Sequence, residues 1–126
     1  MSAGLTLDTG VLIAFERNDR YVVSLISRAL EAELGIAVPA GVVAQAWRDG
    51  RKQVRLARLL GAPQVEVDVL DDRRARAAGQ LCGVSKTRDI VDASVVLCAR
   101  DRSHVVLTSD AGDLRRLDEQ LQLIAI

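Results

Sequence analysis

Five short apolar runs punctuate the chain, and residues at helical spacing fill every gap between them. The runs are residues 4–8, "IAV" (36–38), "VEVDVL" (65–70), "HVVLT" (104–108) and "LQLIAI" (121–126). Between the first two, "VLIAFERN" (11–18) reads as a short helix. "RYVVSLISRALEAE" (20–33) reads as a second, with Val22, Leu25, Ile26, Ala29 and Leu30 along one face, and Gly35 breaks it. "AGVVAQAWRDG" (40–50) predicts a helix stopping at Gly50, and "KQVRLARLLG" (52–61) another, closed by Gly61 and Pro63. Residues 71–82 follow as a helix. "DIVDASVVLCAR" (89–100) is apolar nearly all round and predicts a buried helix; "DAGDLRRLDEQ" (110–120) predicts a short polar one. Strands that alternate with helices end to end predict an α/β fold: a three-layer α/β/α sandwich with a central parallel sheet.

The chain's 126 residues fit a single domain, residues 1–126. Hydrophobic residues make up 49% of it, yet there is only one Phe, one Trp and one Tyr, so Val, Leu, Ile and Ala must build the core. Seventeen basic and seventeen acidic side chains cancel, which excludes a global electrostatic preference for nucleic acid or membrane. Cys82 and Cys98 lack CxxC spacing and sit in apolar helical contexts, so buried free thiols in a reducing, cytoplasmic compartment are expected. "MSAGLTLD" has no basic leader region, and no apolar stretch is long enough to span a membrane.

The acids are not scattered. Asp8 follows the first strand and Asp110 the fourth, and open α/β sheets bind ligands beyond the carboxyl ends of their strands. Asp89 and Asp92 open the buried helix three residues apart, and Asp113 stands three after Asp110. Singly, each has a plain explanation as a helix cap or a dipole-friendly residue of a first turn. Together they would repel one another, and no Lys or His has an obvious place among them. A hard divalent cation, Mg²⁺ or Mn²⁺, is the simplest relief for an all-oxygen site. His104, the only histidine, reads as a surface residue at a strand end.

These residues resemble the PIN-domain ribonucleases, and among them the VapC toxins of bacterial toxin–antitoxin pairs. The resemblance is carried by "LDTGVLIAFER", "DIVDASVVLCAR" and "VVLTSDAGDL", and by the chain's length and element order. It implies a Mg²⁺-dependent endoribonuclease with Asp8, Asp92 and Asp110 as catalytic metal ligands, and Asp89 and Asp113 as second-tier acids. Thr9 and Ser109 would support the ligands. Gln45 stands where the family carries a Glu; an amide oxygen can ligate but brings no charge, so weaker metal affinity is implied. RNA, with tRNA a candidate, would be the substrate. A cognate antitoxin and a second copy of the chain would be partners, the antitoxin entering a groove formed by residues 10–34.

RNA needs cations beside an acidic pocket. "WRDGRKQVRLAR" (47–58) offers Arg48, Arg51, Lys52, Arg55 and Arg58 against Asp49 alone, with Trp47 either packing or stacking on a base. Other classes stay open. Gln45 favours a catalytically weak RNA-binding or interaction module on the same fold. A phosphatase or phosphoacceptor domain also puts Asp after its first strand, but the dehalogenase-type pattern wants a second Asp where Gly10 stands.

Overall fold

The computed structural model describes residues 4–126; residues 1–3 of the domain expected over 1–126 lie outside it. The five expected strands form one sheet. They are β1 (Leu5–Leu7), β2 (Ile36–Pro39), β3 (Val65–Asp68), β4 (Val105–Thr108) and β5 (Leu123–Ala125). Every pairing is parallel, in the order β3-β2-β1-β4-β5. β1 therefore lies in the centre, with Leu5 level with both Ile36 and Val105. All three of its residues are buried, as are those of β2. Strands covered on both faces read as unbroken apolar runs, whereas the edge strand β3 alternates and is only half-buried.

Seven helices connect the strands among the described residues: α1 (Thr9–Glu16), α2 (Arg20–Glu31), α3 (Ala40–Ala46), α4 (Val54–Leu60), α5 (Asp72–Ser85), α6 (Ile90–Arg102) and α7 (Ala111–Leu117). α1 packs on α2, α3 and α4; α5, α6 and α7 pack on one another. The two groups cover opposite faces of the sheet, giving the expected three-layer α/β/α sandwich. One apolar cluster runs through it, from Leu7, Leu12 and Ile26 to Val95, Leu107 and Leu114. Among the described residues no helix is long and apolar enough to cross a membrane.

α6 is the buried helix that its all-round apolarity predicts. Ala93, Ser94, Val95, Val96, Cys98 and Ala99 are all buried, against β1, β2, β4 and the neighbouring helices. Asp89 caps its first turn, accepting from the Asp92 amide at 2.9 Å. Arg100 and Arg102 occupy its last turn, where the helix dipole favours positive charge. Both are held: Arg100 by Asp118 at 2.9 Å, Arg102 by Glu66 at 2.7 Å and Asp68 at 3.0 Å. This helix thus fixes the depth at which Asp92 meets the sheet edge.

Two local expectations need correction. The helix expected over 40–50 ends at Ala46, because side chains capture its last carbonyls. Gln53 Nε2 donates to the Ala46 carbonyl at 2.8 Å, and Arg48 Nη1 donates to those of Ala44 and Trp47. The Trp47 ring then folds onto Gly50, where a Cβ would lie 2.8 Å from it. Trp47 thus packs on Gly50 while remaining 37% exposed. His104 is half-buried rather than on the surface, with Nδ1 3.0 Å from the Thr6 hydroxyl. Burial and the Arg102 charge lower its pKa. Cys82 and Cys98 are buried free thiols, as expected.

Candidate active site

The strand order reverses direction beside β1: the chain leaves it for β2 on one side and later returns to β4 on the other. Such a switch opens a crevice at the carboxyl ends of the two strands. Asp8 ends β1 at this crevice and is 5% exposed. Its carboxylate accepts three hydrogen bonds. The Val11 amide donates to Oδ1 at 3.1 Å, which makes Asp8 the N-cap of α1. The Ser109 amide donates to Oδ2 at 3.2 Å, and so does the Thr108 hydroxyl. Burial nevertheless raises its pKa, and the nearby Asp110 charge raises it further against those three bonds.

Asp110 occupies the N-cap position of α7 but makes no side-chain cap bond. Its amide instead donates to the Thr108 hydroxyl at 2.8 Å. Thr108 is therefore a bridge, receiving from the Asp110 backbone and giving to Asp8. The Asp110 carboxylate is left free at the exposed mouth of the crevice.

Asp92, in the first turn of α6, is half-buried and pushed up to about 7. Burial is the first cause, then the charges of Asp89, Asp110 and Asp113. A hydrogen bond to Asp89, available only while Asp92 keeps its proton, adds to it. The sequence-derived acids thus fall into one field: Asp8 feels Asp110, and Asp92 feels Asp110, Asp89 and Asp113. Among the described residues no Lys, Arg or His pairs with Asp8, Asp89, Asp92 or Asp110, and Asp113 meets only Arg116, at 4.0 Å.

The donor set is all oxygen, anionic and uncompensated, which suits a hard dication such as Mg²⁺ or Mn²⁺. As placed, no three His, Cys, Asp or Glu side chains among the described residues enclose a single point at which an ion would sit. The carboxylates are gathered electrostatically rather than preset as a cage.

Of the supporting residues, Thr9 donates its hydroxyl to Gln45 Oε1 at 2.5 Å, tying the start of α1 to the exposed side chain of Gln45 on α3. Ser109 presses on Gly10, where a Cβ would collide with its Oγ. Glycine at this position allows the strand β4 exit to lie against α1 and deliver the Ser109 amide to Asp8. Thr108 escaped the sequence reading. Its signal was present: a hydroxyl that ends an apolar strand, and that is itself fully buried, needs a partner.

The basic run does not form one row. Arg48 lines a cleft with Ile13, Glu16, Arg17 and Gln45. Arg51 and Lys52 lie exposed in the loop between α3 and α4. Arg55 and Arg58 line a separate apolar cleft with Phe15, Leu30 and Leu59.

Fold and site together define an α/β/α domain that gathers carboxylates at the switch point of a parallel sheet. The PIN domain family model matches residues 5–120, and the chain belongs to that family. No curated protein matches the sequence. Solved structures share the fold. FitAcB from Neisseria gonorrhoeae is 20% identical, with 95% of this chain and 96% of that one covered at a TM-score of 0.66. VapBC2 from Rickettsia felis, bound to a DNA fragment from its promoter, is 14% identical over 97% and 98%, at 0.69. A toxin–antitoxin complex from Klebsiella pneumoniae is 17% identical over 98% and 97%, at 0.68.

Proposed function

We propose that this PIN domain is the toxin of a toxin–antitoxin pair, a Mg²⁺- or Mn²⁺-dependent endoribonuclease of the cytoplasm with tRNA a candidate substrate. The observation that carries the reading is Asp92, held half-buried among three acids, making no ion pair among the described residues and lifted to about 7. A structural cap has no use for that repulsion; a dication site does. Asp8, Asp92 and Asp110 would hold the metal, with Asp89 and Asp113 as outer acids. When bound, a divalent cation supplies the positive charge that activates water and offsets the charge growing on a phosphodiester oxygen. The chain's own residues do the rest. Thr108 and the Ser109 amide orient the Asp8 carboxylate, and Asp89 caps the first turn of α6 that carries Asp92. Thr9 fixes Gln45 at the rim, and Arg48 brings a positive charge to the same cleft.

The antitoxin reading is supported by the cleft between α1, α2 and α4, which Phe15, Leu30, Leu59 and Ala62 make apolar. The shared fold of the toxin–antitoxin complexes supports it too. A homodimer is proposed on the family resemblance alone. The deciding experiment incubates purified protein with structured RNA and Mg²⁺ or Mn²⁺. Cleavage lost in EDTA, and reduced at least ~100-fold in Asp8→Asn, is the expected result; cleavage that persists in EDTA overturns the reading. Expression of wild type and Asp92→Asn in a bacterium, with mapping of new RNA ends, identifies the target. One observation favours a second reading. Gln45 replaces a charged ligand with an amide already engaged by Thr9, which suits an RNA-binding module without catalysis. RNA affinity with no calorimetric metal binding would select it.

A further inference from the structure

A cavity of about 190 Å³ adjoins the acids on the side of α5 and α7. Asp89, Asp92 and Asp113 form one part of its lining, and Lys86, Arg116, Ser85 and Thr87 another. A bare cation site would not be rimmed by two cations, and a simple ion-pair network would use them. Lys86 makes no ion pair among the described residues, and Arg116 has only its loose contact with Asp113, both side chains there being mostly exposed. The backbone of Lys86 is nonetheless held at the mouth of this cavity. The residue ends α5 in the left-handed conformation, φ 56°, with its amide bonded to the Cys82 carbonyl.

We infer that Lys86 and Arg116 bind a backbone phosphate of single-stranded RNA next to the one at the acids, with the Ser85 and Thr87 hydroxyls as neutral donors. The ligand that suits the cavity is a polyanion in register: one phosphate among the cations, its neighbour beside the carboxylates by way of the divalent cation that they would hold. This inference rests on the ribonuclease reading and extends it to two residues outside the basic run at 47–58. Each has one basic neighbour, Arg88 and Arg115, but acids stand beside both pairs, so neither forms a long basic run.

The test measures binding of a fluorescein-labelled single-stranded oligoribonucleotide to the full chain in EDTA, over a salt series. Lys86→Ala/Arg116→Ala is compared with Arg28→Ala/Arg73→Ala, an equal loss of charge at exposed positions away from the acids, all variants being checked for native circular dichroism. The expected result is that the first pair flattens the slope of log affinity against log salt by about 0.7, the increment for the one single-strand phosphate that is no longer neutralised. The second pair should leave it unchanged. In cleavage assays the first pair should raise KM several-fold with kcat little altered. Equal slopes for the two pairs overturn the inference while leaving the nuclease reading intact. Binding without cleavage removes the nuclease reading, and the slopes still decide the subsite. No RNA binding by the wild type overturns both.

Discussion

Thr108 and Asp8 stand one hundred residues apart in the chain, and the hydroxyl of one is hydrogen-bonded to the carboxylate of the other in the buried centre of the sheet. The bond joins the ends of the two strands that flank the switch point. Thr108→Val keeps the shape and removes the donor, leaving Asp8 Oδ2 with the Ser109 amide alone. The variant should lose about 1–2 kcal/mol of stability in urea unfolding. Cleavage should fall too, with a higher Mg²⁺ requirement. Unchanged stability would mean that the hydroxyl contributes nothing there.

Asp92 sets a pH dependence whose sign is definite. Its pKa rises from 3.8 to about 7 on folding, so the folded state holds this proton more tightly. The stability it contributes is complete below its ordinary carboxylate range and is lost as pH climbs through about 7. Asp8 shifts in the same direction. In EDTA, the thermal midpoint should therefore fall between weakly acid and weakly alkaline buffer. Asp92→Asn should flatten that fall, recovering on the order of 1 kcal/mol at the alkaline end once solvent screening is allowed for. Mg²⁺ should raise the wild-type midpoint more at alkaline than at acid pH. A variant as steep as wild type would remove Asp92 as the cause.

Gly10 offers a double-mutant cycle. Alanine there would drive its Cβ into Ser109 Oγ and bring it to 2.9 Å from Ser109 Cβ. Gly10→Ala should cost about 2 kcal/mol. In a Ser109→Gly background both clashes vanish, and the same change should stabilise by ~0.5–1 kcal/mol, since Gly10 lies in a helix. Chemical denaturation of the four proteins measures the coupling, and additivity would contradict the close approach.

Far from the acids, Asp68 is 10% exposed at its side chain and is held by Arg102 at 3.0 Å and Arg74 at 3.2 Å. Burial opposes the charge on both arginines, but Asp68 and its acidic neighbours raise their pKa overall. Arg102→Met should cost about 2–3 kcal/mol, because it leaves a largely buried carboxylate with one partner. RNA cleavage by the folded protein should be unchanged. A matching loss of activity would tie this network to the site.

Cys98 is fully buried, and burial pushes its thiol up to about 11; Cys82 is 5% exposed. Both should resist iodoacetamide in native protein at mildly alkaline pH and react on unfolding, as read by mass spectrometry. Rapid native labelling of Cys98 would contradict the burial of α6.

The alternation of strands and helices was readable because the central strands are apolar on both faces and α6 is apolar all round. Their order in the sheet was not, since parallel crossovers leave no local trace. The acids were readable as candidates because each sits at a strand exit or helix start. Their mutual field depends on tertiary distances that spacing cannot supply. The end of α3 was misplaced because Arg48 and Gln53 act on its carbonyls through their side chains, which no periodicity encodes. The basic run looked continuous in one dimension, yet a loop and a new helix send Arg48 and Arg55 to different clefts.

β1 is synthesised first and occupies the middle of the sheet, but one of its two neighbours is β4. A nascent chain that stops before β4 leaves β1 as a bare edge and Asp8 without the hydroxyl from Thr108. Until residue 110 has cleared the ribosome, the carboxylates cannot meet. Chains that terminate before β4 therefore lack both the Thr108 hydroxyl and Asp110, a consequence of connectivity alone.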